Sequence, residues 1–133
     1  MFDKVSHIGI AVKDLQAAVE VFSRLLGKQP DHLEDVPDQK VTTAMFTVGS
    51  SSIELTQGTE ASSPVEKFLQ KRGEGIHHVS FVVDDIEGEL ARLKSAGFEL
   101  IDEHPRPGAD GTIVAFLHPR STNGVLIELC QKK

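Results

Sequence analysis

The chain carries one unit of sequence twice, and this repeat is the feature that most restricts its fold. Aligning Val83-Asp84-Asp85 with Val12-Lys13-Asp14 places His78 on His7, each histidine inside an apolar run rich in branched residues. Such runs are typical of β-strands. Internal repetition on this scale predicts two copies of one folding unit.

Each half predicts the same order of elements: a strand, a helix and then three strands. Alternation of apolar and polar residues, with turn residues between the runs, predicts the strands. They are residues 3–12, 29–35, 41–48, 52–56, 75–83, 98–101, 112–117 and 125–129. The helices are predicted to follow the N-caps Asp14, Ser63 and Asp85 and to end at Gly27, near Gly73 and at Gly97.

This order predicts one α+β domain spanning residues 1–133. It divides into module one (1–60), a linker helix (61–73) and module two (74–133). A chain of 133 residues is ordinary for a single domain with a sizeable core.

Composition excludes several classes of function. The net charge of −6 argues against nucleic acid, which rewards clustered positive charge. No apolar run reaches the length of a membrane span, and the amino terminus lacks the layout of a signal peptide. With a single cysteine, Cys130, these features predict a cytoplasmic protein.

Four repeated residues predict a metal site. His7 and His78 lie on the first strand of each half, and Glu54 and Glu128 lie on the last, each glutamate between apolar neighbours. A carboxylate on a covered sheet face is costly unless it is paired or bound to a metal. Mixed imidazole and carboxylate ligation suits Mn²⁺, Co²⁺, Ni²⁺, Fe²⁺ or Zn²⁺ better than Ca²⁺.

Each of these residues also has an ordinary structural interpretation. A single histidine in a strand is usually structural, and a single glutamate usually faces solvent. Recurrence at equivalent places favours the metal site. His77 should face away from it and pack structurally, and the remaining histidines are expected on surfaces or loops: His32, His104 and His118.

The doubled unit with its four ligands resembles the vicinal-oxygen-chelate superfamily, which includes glyoxalases, bleomycin resistance proteins and dioxygenases. Within it, three stretches resemble the methylmalonyl-CoA epimerase family: residues 7–12, residues 75–78 with 83–86, and residues 118–129. The last stretch is the most specific. Glyoxalase I shares the ligand pattern but typically reads Asp-Pro-Asp-Gly before its last ligand strand.

The resemblance implies two tandem βαβββ modules around a metal cleft. It also implies a divalent metal, most often Co²⁺ or Mn²⁺ with Zn²⁺, Ni²⁺ or Fe²⁺ as alternatives, and a homodimer. The implied reaction interconverts (2R)- and (2S)-methylmalonyl-CoA by proton transfer through a metal-stabilised enolate. Glu128 is then the candidate proton carrier as well as a ligand. Arg120 is the best placed of several basic residues to bind the phosphates of coenzyme A.

At one position, the residue in this chain differs from the residue in some members of the family. Some members carry a glutamate, the second proton carrier, where this chain has Thr43. Threonine is a poor general base without an activating partner. Either another group, such as Glu54 or a metal-bound water, delivers the second proton, or the substrate differs.

Other functions remain open. Glyoxalase I, a lactoylglutathione lyase, needs the same four ligands. A metal-free binding or resistance protein of the same fold would not require them. Ring-cleaving dioxygenases use two histidines and one carboxylate, so an intact Glu54 argues against that class.

Overall fold

The computed structural model describes all 133 residues. Its three helices are α1 (Leu15–Leu26), α2 (Pro64–Arg72) and α3 (Ile86–Ser95). Its eight strands are β1 (Phe2–Ala11), β2 (His32–Val36), β3 (Val41–Val48), β4 (Ser51–Gly58), β5 (Gly75–Val83), β6 (Arg106–Pro107), β7 (Thr112–Leu117) and β8 (Ile127–Lys132). The predicted α+β class is confirmed. None of the three helices combines the length and the apolar composition that a membrane-spanning helix needs.

The helices begin where their capping residues predict. The carboxylate of Asp14 accepts from the N–H of Ala17 at 3.2 Å, and that of Asp85 accepts from Gly88 at 3.1 Å. The Ser63 hydroxyl accepts from the N–H of Val65. At the other end of α1, Gly27 adopts a left-handed conformation with φ of 70°, which glycine reaches without a steric penalty.

Contacts divide the chain into two compact units. The amino-terminal unit comprises residues 8–77, and the carboxyl-terminal unit comprises residues 1–7 and 78–133. Strands β1 and β5 each contribute part of their length to both units.

In the amino-terminal unit the strand order is β2-β3-β4-β1. The β2–β3 and β3–β4 pairs are antiparallel. One face of this sheet packs on the apolar stripe of α1. Its buried core is formed by Val12, Ala44, Phe46 and Leu55. Residues that alternate with the last three of these, such as Thr43 and Glu54, therefore point to the opposite face.

In the carboxyl-terminal unit the strand order is β1-β5-β8-β7-β6. Strands β5 and β8 are parallel, with Ser80 opposite Glu128. Helix α3 covers one sheet face, and the core there is formed by Val83, Ile86, Leu90, Leu93, Ala115, Leu117 and Leu129. Glu128 alternates with Leu129, so it lies on the other face.

The predicted strand at residues 98–101 is wrong. This segment makes one isolated bridge, between Leu100 and Leu117. The side chain of Asp102 accepts the N–H of Phe116 at 2.9 Å, so a side chain takes a donor that a strand neighbour would otherwise bind. The short strand β6, paired through Arg106 with Val114, completes the strand, helix, three-strand order of this half.

Candidate metal centre

Three of the four predicted ligands converge in the carboxyl-terminal unit. Nε2 of His7 lies 3.1 Å from Nε2 of His78 and 3.1 Å from Oε1 of Glu128. Nε2 of His78 lies 3.9 Å from the same carboxylate oxygen. The three residues are only 7%, 5% and 3% exposed, so the cluster is almost fully removed from water.

Strand geometry explains this convergence. His78 and Ser80 are two residues apart on β5 and therefore share a face. The parallel register sets Ser80 directly opposite Glu128 on β8. The antiparallel register sets Phe116 opposite Glu128 on its other side. The ring of Phe116 stands edge-on to the imidazole of His78, with centroids 5.9 Å apart, and limits its movement.

A contact at Nδ1 of the imidazole ring orients His7. Its Nδ1 lies 3.1 Å from the hydroxyl of Ser6, which leaves Nε2 directed at His78 and Glu128. The two imidazole rings meet nearly at right angles, at 86°, with centroids 5.2 Å apart. A hydrogen bond to the far ring nitrogen is the usual device that orients a metal-binding histidine.

Glu128 is ionised in this arrangement. Burial by itself would raise the pKa of its carboxyl group. The polar contact with His7 and the positive charges that His78 and His7 acquire on protonation act more strongly in sum, and they lower the pKa from 4.5 to about 2. The carboxylate therefore keeps its charge at neutral pH, as a metal ligand must.

The donor set fits a divalent transition metal. Two ligands of one ion, each about 2.0–2.2 Å from it, lie no more than roughly 4 Å apart. All three distances in the cluster are below that limit. Oε1 of Glu128 is buried and has no hydrogen bond of acceptable geometry. A buried acceptor in that condition is costly unless something binds it.

Glu54 belongs to the amino-terminal unit. It lies on β4, is buried, and accepts a hydrogen bond from the hydroxyl of Thr56 at 3.3 Å. Like His7 and His78, it offers one metal-ligating atom. Its place on the last strand of its half is the counterpart of Glu128 on β8.

His77 and Arg120 were also singled out from the sequence, and neither is a metal ligand. His77 packs its ring edge-on against Phe68 of α2, with centroids 5.0 Å apart, in the structural role expected for it. Arg120 follows β7 on a short 3₁₀ turn, and its side chain is 71% exposed. Its guanidinium binds Glu99 at 2.8 Å and holds the pKa of that carboxyl group below its usual range.

The sequence interpretation missed the residues that support the ligands: Ser6, Ser80 and Phe116. Ser80 carried a usable signal, because it lies two residues after His78 on a predicted strand. Phe116 carried none, since its position opposite Glu128 depends on the register between β7 and β8.

Comparisons with known proteins identify the family to which this fold belongs. The sequence model of the glyoxalase/bleomycin resistance protein/dioxygenase superfamily matches residues 6–116. The ethylmalonyl-CoA/methylmalonyl-CoA epimerase of Cereibacter sphaeroides is 39% identical over 133 residues, which cover 98% of this chain and 99% of that protein. The mitochondrial methylmalonyl-CoA epimerase of Homo sapiens is 34% identical over 96% of this chain and 73% of its own length.

A solved structure agrees with these matches. A variant of Streptomyces coelicolor methylmalonyl-CoA epimerase, in complex with 2-nitronate-propionyl-CoA, superposes with a TM-score of 0.95. It is 35% identical, and the match covers 99% of this chain and 96% of that one. A probable lactoylglutathione lyase of Vibrio cholerae is more distant, at 27% identity over 98% of this chain and 91% of its own length. The chain belongs to the glyoxalase/bleomycin resistance protein/dioxygenase superfamily.

Proposed function

We propose that this protein is a methylmalonyl-CoA epimerase, which interconverts the (2R) and (2S) forms of its substrate. One observation supports this most directly. His7, His78 and Glu128 form a buried cluster, with distances of 3.1 Å and 3.9 Å, in a chain whose full-length relatives include such epimerases.

The reaction needs a proton removed from the carbon between the thioester and the carboxylate and a proton returned on the other face. Removing it leaves an electron pair that delocalises into the thioester as an enolate. Stabilising that developing negative charge is the main task of the site. Glu128 is ionised and buried, so it serves as one proton carrier.

His7, Glu54, His78 and Glu128 would hold a divalent cation, of which Co²⁺ and Mn²⁺ are favoured over Zn²⁺, Ni²⁺ and Fe²⁺. Bound there, the cation would supply a Lewis acid for the thioester and carboxylate oxygens. The convergence of three ligand atoms in one unit supports the site. Glu54 joins the set because it is buried and occupies the repeat position of Glu128.

Arg120 is proposed to contact the phosphates of coenzyme A. Its exposure leaves it accessible, and its present partner Glu99 is also exposed, so exchange for a phosphate loses only a surface ion pair. We further propose that the protein is a homodimer. Exposed apolar side chains on α1, Val21 and Leu25, support an interface there.

Glyoxalase I is the alternative enzyme, because its chemistry uses the same four ligands. The chain is 27% identical to the probable lactoylglutathione lyase of Vibrio cholerae, which supports this alternative. The stretch of residues 118–129 argues against it. A metal-free binding or resistance role is disfavoured by the convergence of the ligand atoms.

A direct test compares two reactions of the metal-loaded protein. Purified protein is incubated with (2R)-methylmalonyl-CoA and, separately, with methylglyoxal and glutathione. We expect the (2S) epimer to accumulate to equilibrium and no lactoylglutathione to form. Lactoylglutathione formation without epimerisation would establish the alternative.

A further inference from the structure

We propose that Ser80 positions Glu128 in the metal-loaded protein, by donating a hydrogen bond from its hydroxyl group to that carboxylate. The inference rests on the metal site proposed above, and it concerns a residue that binds no metal itself. Three observations support it: the burial of Ser80, the missing partner of its hydroxyl and its place across from Glu128.

The Ser80 hydroxyl is a buried polar group in an apolar part of the sheet. The residue is 0% exposed, and its Oγ has no hydrogen-bond partner. Val82 follows it on the same face of β5 and packs against the buried residues Val114, Phe116 and Cys130. A buried donor without a partner costs free energy, whereas a methyl group in its place would not. The packing of the sheet therefore does not account for a serine at this position.

Glu128 is the acceptor that the strand register places beside this hydroxyl. The parallel pairing of β5 with β8 puts the two residues directly opposite each other, on strands about 4.8 Å apart. Both side chains project from the face that carries His78. Oε1 of Glu128 is also buried and also lacks a hydrogen bond of acceptable geometry. A donor and an acceptor that each lack a hydrogen bond thus lie side by side on neighbouring strands.

The hydroxyl and the carboxylate already lie near each other. Burial raises the pKa of the Glu128 carboxyl group, and the two histidines and, least of all, the Ser80 hydroxyl act against burial. The contact is therefore polar, but its geometry falls short of a hydrogen bond. Because a serine hydroxyl turns to suit its acceptor, a change in the orientation of the Glu128 side chain can complete the bond.

Metal binding removes the other polar contact of this carboxylate. Nε2 of His7 lies 3.1 Å from Oε1 of Glu128 and can donate to it only while that nitrogen carries a proton. A histidine that binds a metal through Nε2 uses the lone pair of that nitrogen and has no proton there to donate. Ser80 is then the donor that lies beside the carboxylate. Carboxylates that bind metals are in turn hydrogen-bonded, and such partners fix their orientation.

The test is Ser80→Ala, with Ser23→Ala as the matched control. Ser23 also has a buried hydroxyl without a hydrogen-bond partner, but it lies on α1 in the amino-terminal unit. For Ser80→Ala we expect the Kd for Co²⁺, measured by titration calorimetry, to rise by about 10- to 100-fold, the typical cost of losing a partner of a metal ligand. The visible absorption bands of bound Co²⁺, which depend on the ligand geometry, should change as well. Ser23→Ala should leave the Kd and the bands unchanged.

The stability of chelator-treated protein supplies a second readout. In urea denaturation, Ser80→Ala should have a midpoint equal to or above that of the parent protein, because the change removes an unpaired buried donor. Unchanged Co²⁺ affinity and absorption in Ser80→Ala, or equal losses of affinity in both variants, would overturn the role of Ser80. A lower midpoint for Ser80→Ala would also overturn it, since the hydroxyl would then be bonded before the metal binds.

These measurements are separate from catalysis. A parent protein that binds no Co²⁺ would refute the metal site and the role of Ser80 together. A parent protein that binds Co²⁺ and does not epimerise methylmalonyl-CoA would refute the proposed function alone, and the comparison of Ser80→Ala with Ser23→Ala would still decide the role of Ser80.

Discussion

Replacing Glu128 with glutamine should destabilise the metal-free protein by an amount that depends on pH. The carboxyl group has a pKa of about 2 in the folded protein, against an ordinary value of 4.5. A difference of one pKa unit between the folded and unfolded states corresponds to about 1.4 kcal/mol of stability. Because the folded pKa is lowered, the charged group stabilises the protein above its unfolded pKa, and this stabilisation is lost as pH falls through the folded value.

These values give the size of the effect. The carboxylate contributes about 3 kcal/mol at pH 6 and about 1 kcal/mol at pH 3. Glutamine stays neutral at every pH. The Glu128→Gln variant should therefore lose about 3 kcal/mol relative to the parent near pH 6, and the difference should shrink by roughly 2 kcal/mol at pH 3.

Urea denaturation in the presence of a chelator, at pH 6 and at pH 3, measures this difference. Glu99→Gln is the matched control, because that glutamate is exposed and solvent screens its ion pair with Arg120, so its loss should change stability little at either pH. Equal destabilisation by Glu128→Gln at both pH values would refute the reasoning, since the loss would then come from packing and not from charge.

Three further predictions concern single residues. His78→Ala should abolish binding of one Co²⁺ per chain, while His77→Ala leaves it intact, as titration calorimetry with the metal would show; loss in both variants would contradict the site. Leu129→Ala should lower the free energy of unfolding by about 2–5 kcal/mol, because that side chain is fully buried, whereas Leu33→Ala, at an exposed position of the edge strand β2, should change it by roughly 0.5 kcal/mol or less. Arg120→Ala should raise KM for methylmalonyl-CoA with little change in kcat, in steady-state kinetics; an unchanged KM would exclude the phosphate contact.

The elements that the sequence predicted well are those with local determinants. Asp14 and Gly27 bound α1 through contacts made within a few residues of each end. His7 and His78 were found through the repeat, which compares the chain with itself and needs no knowledge of tertiary contacts. The same comparison located Glu128.

The features that the sequence did not predict depend on how strands distant in the chain pair with one another. The segment at 98–101 has the composition of a strand, but the side chain of Asp102 binds the backbone of Phe116 and only one bridge forms. Phe116 lies opposite Glu128 because of the pairing of β7 with β8, which no local pattern reveals.

The most direct test of the account is whether the protein labilises the α-hydrogen of its substrate in a metal-dependent way. Metal-loaded and chelator-treated protein would each be mixed with (2R)-methylmalonyl-CoA in D₂O, and loss of the α-proton signal followed by NMR. We expect deuterium incorporation and appearance of the (2S) epimer with metal, and neither after chelation. Absence of exchange above background in the metal-loaded protein would contradict it.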